Sequence, residues 1–218
     1  MEAQYQITSE AINTYAEQYS TPETPVLKAL NETTVAEVRG AQMLSGALQG
    51  SFLSMISKLI RPKNILELGT YTGYSAICLA QGLQDGGQLH TIDTDDQPQA
   101  MRDQYWKAAG LEHTIVQHIG PAAAVLPQID TTFDLIFIDA DKKNYGVYFD
   151  MLIDKVPVGA CFMADNVLFH SEVVQPLENQ SKSARYMHEF NEKIKHSDRV
   201  EQVILPIRDG ITLIRKIK

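Results

Sequence analysis

Cysteine is scarce in this chain: 218 residues carry two, Cys78 and Cys161, and both sit in apolar surroundings. They read as small core residues in a reducing, cytoplasmic setting. Basic residues are also short, with 19 Lys and Arg against 27 Asp and Glu for a net charge of −8. Apart from a small tail at Arg215, Lys216 and Lys218 they are scattered, so no basic stripe is there to grip DNA or RNA. Long apolar runs are missing as well. No stretch approaches the length of a membrane span. The polar, acidic start MEAQYQITSEAINTYAEQYS lacks the cationic opening and apolar core of a signal peptide. The histidines His90, His113, His118, His170, His188 and His196 show no HxxxH or other metal-ligand spacing, which argues against zinc. No internal repeat and no low-complexity segment is found.

What is present is the composition of one well-buried α/β domain, 44% hydrophobic and 21% charged, without a disorder signature. Residues 1–62 read as helices. SEAINTYAEQY starts on a capping candidate, Ser9, and TPETPVLKALNETTVAEV has turn punctuation followed by helical spacing. From Leu44 the apolar residues Leu48, Phe52, Met55, Ile56, Leu59 and Ile60 keep helical spacing until Pro62, which predicts a helix packed on a sheet. Residues 63–218 read as the α/β core. Short apolar runs recur at NILEL, QLHTID, TIVQHI, FDLIFID, ACFMAD, VEQVILP and GITLIRK. Helical patterns lie between the first five, at GYSAICLAQGL, QPQAMRDQYWKAAG, PAAAVLPQ and NYGVYFDMLIDKV, and SARYMHEFNEKIKH is a further helix candidate. The alternation predicts a mostly parallel, doubly wound sheet of seven strands with helices on both faces. PIRDG is too short for a crossover helix, so the last two strands must form an antiparallel hairpin.

In such a sheet ligands bind beyond the carboxyl ends of the strands. ILELGTYTGYSAICLAQGL holds the first strand and its turn, where Gly69 and Gly73 let the backbone pass close under a ligand. The hydroxyls of Thr70, Tyr71, Thr72 and Ser75 cluster at the start of the next helix. A dehydrogenase would show G-x-G-x-x-G here to seat a pyrophosphate, and the chain has Glu67-x-Gly69-x-x-x-Gly73 instead. The Glu67 carboxylate opposes a pyrophosphate and suits a cationic ligand. The second strand ends at Asp93, placed to take both hydroxyls of a ribose. Ribose with a positively charged tail describes S-adenosylmethionine (SAM).

A second group follows two later strands: Asp139, Asp141 and Lys142 after FDLIFI, and Asp165 and Asn166 after CFMA. Neighbouring parallel strands would bring Asp139, Asp165 and Asn166 together. Carboxylates so close repel each other unless a cation neutralises them. Oxygen donors without sulfur or imidazole favour a hard ion, Mg²⁺ or Ca²⁺. A metal gripping two vicinal oxygens of a catechol would acidify its hydroxyl, and Lys142 could take the proton.

At these residues the sequence resembles the cation-dependent class I O-methyltransferases, the group containing catechol O-methyltransferase and the caffeoyl-CoA O-methyltransferases, most closely its small bacterial members. LELGTYTGYSA looks like the family's cofactor motif, FIDADKKNY and ADNVL like its metal and lysine motifs, and LPIRDGITLIRK like its terminal hairpin. The resemblance implies a Rossmann-like methyltransferase fold and metal ligands Asp139, Asp165 and Asn166 for Mg²⁺, Ca²⁺ or Mn²⁺. It implies Lys142 as general base, with Asp139 beside it. SAM would be contacted by Glu67, Gly69, Tyr71, Ser75, Asp93, Ala122 and Asp139, and S-adenosylhomocysteine (SAH) would be the product. Met43 and Ser45 occupy the segment that in the family closes over the site, so residues 1–62 are expected to cover it. A phenolic acceptor, a hydroxycinnamate or its CoA ester, and a homodimer are implied likewise. Phe169 and Ser171 stand where many relatives carry Trp and Gly, in a tail that helps form the acceptor pocket. VVQPLENQSKSARY is expected to be a mobile loop at the acceptor mouth, and Lys28, Arg185 and Arg208 are the cations available to a CoA ester. Two other classes fit these residues less well. An NAD-dependent oxidoreductase conflicts with the missing glycine motif and with Glu67. A non-catalytic SAM-binding or dimerisation module has no use for a base beside metal ligands.

Overall fold

Side chains that accept backbone amides open the first helices. In the computed structural model, which describes residues 7–218, Ser9 Oγ accepts the amide of Ile12 at 3.4 Å at the start of α1 (Glu10–Gln18). The first residues of the polar N-terminal stretch lie outside the described residues. Thr24 caps α2 (Pro25–Glu37) by accepting from Leu27, with Pro25 in the first turn, where its missing N–H costs nothing. The stripe from Leu44 becomes α3 (Gly46–Ile60), which stops at a left-handed Arg61 just before Pro62.

The chain divides into two units. The first, Thr14–Thr131, contains β1 (Asn64–Leu68), α4 (Tyr74–Ala80), β2 (Gln88–Asp93), α5 (Gln99–Ala108), β3 (Ile115–Ile119) and α6 (Ala122–Val125). β2 lies between β1 and β3 and is parallel to both, with Glu67 opposite Thr91 and Asp93 opposite Ile119. Ile65, Leu66, Leu68, Leu89, Ala76, Cys78 and Leu79 form its apolar centre, all without exposed surface. The helix predicted over PAAAVLPQ is a single turn, α6, followed by a 3-10 turn at Leu126–Gln128. Pro127 is the reason, since it cannot donate to a continuing helix.

The second unit comprises Thr132–Lys218 with the chain up to Asn13. It contains β4 (Leu135–Ile138), α7 (Tyr145–Ile153), β5 (Cys161–Asp165), α8 (Lys182–Lys195), β6 (Val200–Leu205) and β7 (Ile211–Lys216). β4 and β5 are parallel; β7 runs antiparallel between β5 and β6, as the short PIRDG link requires. Lys216 is buried and donates to the carbonyls of Ile153 and Val156 at 2.7 and 2.9 Å, closing the C-terminal end of α7. The stretch expected to be a loop is built of short turns, Phe169–Val174 and Leu177–Asn179, and then enters α8 behind the cap Ser181. Its polar side chains bind local backbone: Gln180 donates to Val173 and Gln175, and Glu172 accepts from Ser181.

Candidate functional site

In the unit Thr14–Thr131 the predicted cofactor residues Glu67, Gly69, Tyr71 and Asp93 lie in or against the turn after β1. Gly69 has φ +98° and donates to Ile92 at 2.9 Å, which ties the turn to the end of β2. Asp93 Oδ2 accepts the amides of Thr70 and Tyr71 at 2.9 and 2.8 Å, and Oδ1 accepts that of Asp95. Oδ2 thus spends both lone pairs on the turn while Oδ1 keeps one, so Asp93 retains acceptor capacity for a hydroxyl at Oδ1. Glu67 has no exposed surface and accepts from Thr91 Oγ1 at 2.6 Å, itself 2.6 Å from Thr70 Oγ1. Its charge therefore underlies the turn from within the sheet. Ser75 and Ala122 are buried at the starts of α4 and α6, and Ser45 is buried just before α3, whereas Met43 is exposed.

Hydroxyls at this turn also bond protein oxygens. Thr72 meets Thr34 of α2 at 3.2 Å, and Tyr71 donates to the carbonyl of Arg39. Tyr74 donates to Glu23 at 2.6 Å. These bonds fasten the segment before α3 to the turn. Arg102, absent from the sequence reading, lies fully buried on α5 and donates through Nε to the Tyr71 carbonyl at 2.6 Å. Its signal is a cation on a helix face that otherwise buries Tyr105 and Trp106, three and four positions on.

In the unit that contains Thr132–Lys218, strands β4 and β5 end beside each other in the second set. Lys142 Nζ donates to Asp139 Oδ1 at 3.0 Å, Asn166 Oδ1 at 2.6 Å and Tyr145 Oη at 2.8 Å. Three donors thus reach three oxygens, and the Asp139 and Asn166 oxygens both lie within reach of one small cation's position. Asp165 is buried and accepts the amide of Asn166 at 2.7 Å, with Asn166 held at φ +58°. Among the described residues no three His, Cys, Asp or Glu side chains gather as a metal cluster; the expected set has two carboxylates and an amide oxygen. Asp141 is engaged elsewhere, accepting from Tyr148 and Asn144.

Tyr145, quoted only as part of a motif, is the second residue whose role the sequence conceals. It has no exposed surface, donates to the Asp165 carbonyl at 3.2 Å and supports Lys142 from beneath. Burial, reinforced by the negative charges of Asp139 and Asp165, pushes its phenol well above the usual tyrosine range. After Asn166, Phe169, His170 and Ser171 take φ of +37°, +54° and +62° in succession, and His170 N donates to Asp209 Oδ1. A cavity on α8 is lined by Leu177, Glu178, Arg185, His188 and Glu189.

The sequence profile of the O-methyltransferase family matches residues 17–217. Caffeoyl-CoA O-methyltransferase 2 of Populus trichocarpa is 38% identical over 187 residues, covering 81% of this chain and 76% of that protein. Among solved structures, an SAH-bound methyltransferase of Podospora anserina aligns with a TM-score of 0.88 at 26% identity, over 96% of this chain and 95% of its own. An O-methyltransferase of Streptomyces achromogenes involved in tomaymycin synthesis, in complex with SAM, aligns at 0.86 and 26% identity over 95% and 96%.

Proposed function

The chain belongs to the O-methyltransferase family and is a SAM-dependent O-methyltransferase, and from that premise we propose that it methylates one hydroxyl of a catechol-like phenol with the help of a divalent cation. The observation that supports this reading is the convergence of Lys142 Nζ with Asp139 Oδ1 and Asn166 Oδ1. Asp139, Asp165 and Asn166 offer oxygen alone, the donor set of Mg²⁺, Ca²⁺ or Mn²⁺. Bound there, such an ion supplies Lewis acidity and a template for two vicinal oxygens.

Lys142 is the base. A free phenol titrates at about 10 and is mostly protonated at neutral pH, so the proton has to be removed as the oxygen attacks. Asp139 and Asn166, which accept from Lys142, are the residues that would hold the cation, and Lys142 would then stand beside it facing the acceptor hydroxyl. Tyr145 keeps the amine in place, since its own high-lying phenol stays protonated and donates to Asp165. Asp93 receives the ribose of SAM, Glu67 supplies negative charge for the cationic donor, and Gly69, Tyr71, Ser75, Ala122, Met43 and Ser45 complete its surroundings. The acceptor oxygen takes the sulfonium methyl in line and SAH is released.

Phe169 and Ser171 are assigned to the acceptor wall. Relatives named for caffeoyl-CoA make its CoA ester one acceptor to test and free caffeate the other. Arg185 shares its cavity with Glu178 and Glu189, so a CoA phosphate there would meet more negative than positive charge. No helix among the described residues is long and apolar enough to cross a membrane. A cytoplasmic homodimer is the assembly we assign by likeness to the family.

The test is a mass shift of one methyl group on caffeate or caffeoyl-CoA incubated with SAM. EDTA should abolish it and added Mg²⁺ restore it; methylation untouched by EDTA would overturn the cation. Lys142→Met should lower kcat by roughly 10²–10⁴-fold while SAH binds as before. Unchanged turnover would remove Lys142 as the base.

A further inference from the structure

Arg102 has no exposed surface. A buried guanidinium is costly to desolvate and is ordinarily matched by acceptors for its donors. Here Nε alone is satisfied, by the Tyr71 carbonyl at 2.6 Å; Nη1 and Nη2 have no hydrogen-bond partner among the described residues. Nη2 stands 3.6 Å from Asp93 Oδ2, close enough for an ion pair and too far for a hydrogen bond. An apolar side chain of similar length would fill this space without stranding two donors.

What the arrangement accomplishes is local. Tyr71 is held at φ +48°, a conformation that non-glycine residues avoid, so the turn needs restraint. It is restrained at both ends: its N–H is taken by Asp93 and its carbonyl by Arg102. Glu67, Asp93, Asp95 and Asp96 all place negative charge toward Arg102, whose buried cation offsets their mutual repulsion.

We infer that Arg102 is a positioning residue for the methyl donor: acting through Tyr71 and Asp93, it fixes the turn and the carboxylate that receive the ribose. It balances the charge of Asp93 from the Oδ2 side and leaves the remaining Oδ1 lone pair for a ribose hydroxyl. This rests on the reading of Asp93 as the ribose acceptor.

The experiment is a double-mutant cycle, with SAH binding followed by calorimetry in wild type, Arg102→Met, Asp93→Asn and the double variant, alongside steady-state kinetics. Arg102→Met should raise the SAH Kd and the SAM KM by roughly 10- to 100-fold, the loss expected for a hydrogen bond to a charged group. Its kcat at saturating SAM and its acceptor KM should stay within about twofold of wild type. Arg102→Lys, which keeps the charge and loses the fork, should recover part of the affinity. In the Asp93→Asn background, Arg102→Met should add less than about twofold. Equal losses in both backgrounds, or Arg102→Met binding within twofold of wild type, would overturn the inference. If Arg102→Met does not fold, Arg102→Gln takes its place in the cycle. Asp93→Asn binding SAH as tightly as wild type is a separate result that overturns the ribose assignment itself.

Discussion

Replacing Gly73 by alanine tests whether the cofactor turn is as tightly built as its geometry implies. Gly73 has φ +85°, and a Cβ there would lie 2.5 Å from Trp106 Nε1 and 2.9 Å from Cε2. Left-handed backbone costs an alanine about 1–2 kcal/mol. Trp106 is only 4% exposed, so its displacement adds an overpacking cost of about 1–3 kcal/mol. The hydrogen bond from Trp106 Nε1 to the Gly73 carbonyl, 3.3 Å long, is lost as well, at about 0.5–1.5 kcal/mol. Together these give roughly 3–6 kcal/mol, or a fall in Tm of roughly 6–20 °C for a chain of this size. Gly110 is the control: its φ is +71° with nothing within 4 Å of a Cβ, so Gly110→Ala carries the backbone cost alone. Both variants would be melted by differential scanning calorimetry, with and without SAH. Gly73→Ala should melt well below Gly110→Ala and lose most of the stabilisation by SAH. Coincident melting of the two variants would refute the reasoning, because it would mean that Trp106 yields without cost.

Three further outcomes are expected. The rings of His90 and His118 lie 3.0 Å apart between nitrogens; burial lowers both below the ordinary histidine value, and for His90 the His118 charge adds to it. The unfolded chain therefore binds more protons just below about pH 6.5, so this contribution is complete above that pH and is lost as pH falls toward the folded values. Urea midpoints should drop between pH 7.5 and 5.5 less steeply in His118→Gln than in wild type, and equal slopes would exclude the pair as a source. Burial pushes the Cys161 thiol up to about 11 and Cys78 higher still, with Glu67 adding to the latter. Ellman's reagent at pH 8 should find no fast thiol in native protein and two in guanidinium; one rapid native equivalent would contradict the burial. Lys216→Met strands the carbonyls of Ile153 and Val156 and should lower stability by roughly 2–4 kcal/mol, read as a Tm drop of roughly 5–15 °C. An unchanged Tm would show that water replaces the ammonium without loss.

Much of this molecule is legible because its strands are short apolar runs, three of which stop at acids. All seven strands fall within the predicted runs, parallel except for β7, and the Rossmann-like methyltransferase fold follows with them. Asp93, Asp139 and Asp165 are visible for the same reason, since a carboxylate at the end of a buried run stands out against its neighbours. Arg102 and Tyr145 are hidden. Arg102 acts on Tyr71, 31 positions away, and nothing local to its helix marks that contact. Tyr145 reads as core, which it is, and its hydroxyl matters only because Lys142 and Asp165 meet above it. The bonds from the Tyr71 and Thr72 hydroxyls to α2 and the chain just beyond it are hidden as well, because their partners lie 32 and 38 positions away.

The left-handed run at Phe169, His170 and Ser171 sets a rule for how the wall proposed for the acceptor can diversify. Three successive residues in that conformation exclude valine, isoleucine and threonine by backbone sterics, whatever the bound phenol would prefer. Variation along this loop must therefore stay among residues that tolerate the left-handed region, with Gly, Asn, Asp, Ser and His favoured and unbranched side chains such as Phe169 admitted, or come through a rebuilt loop. Laboratory libraries that saturate these three sites will lose branched members to misfolding before any assay can score them.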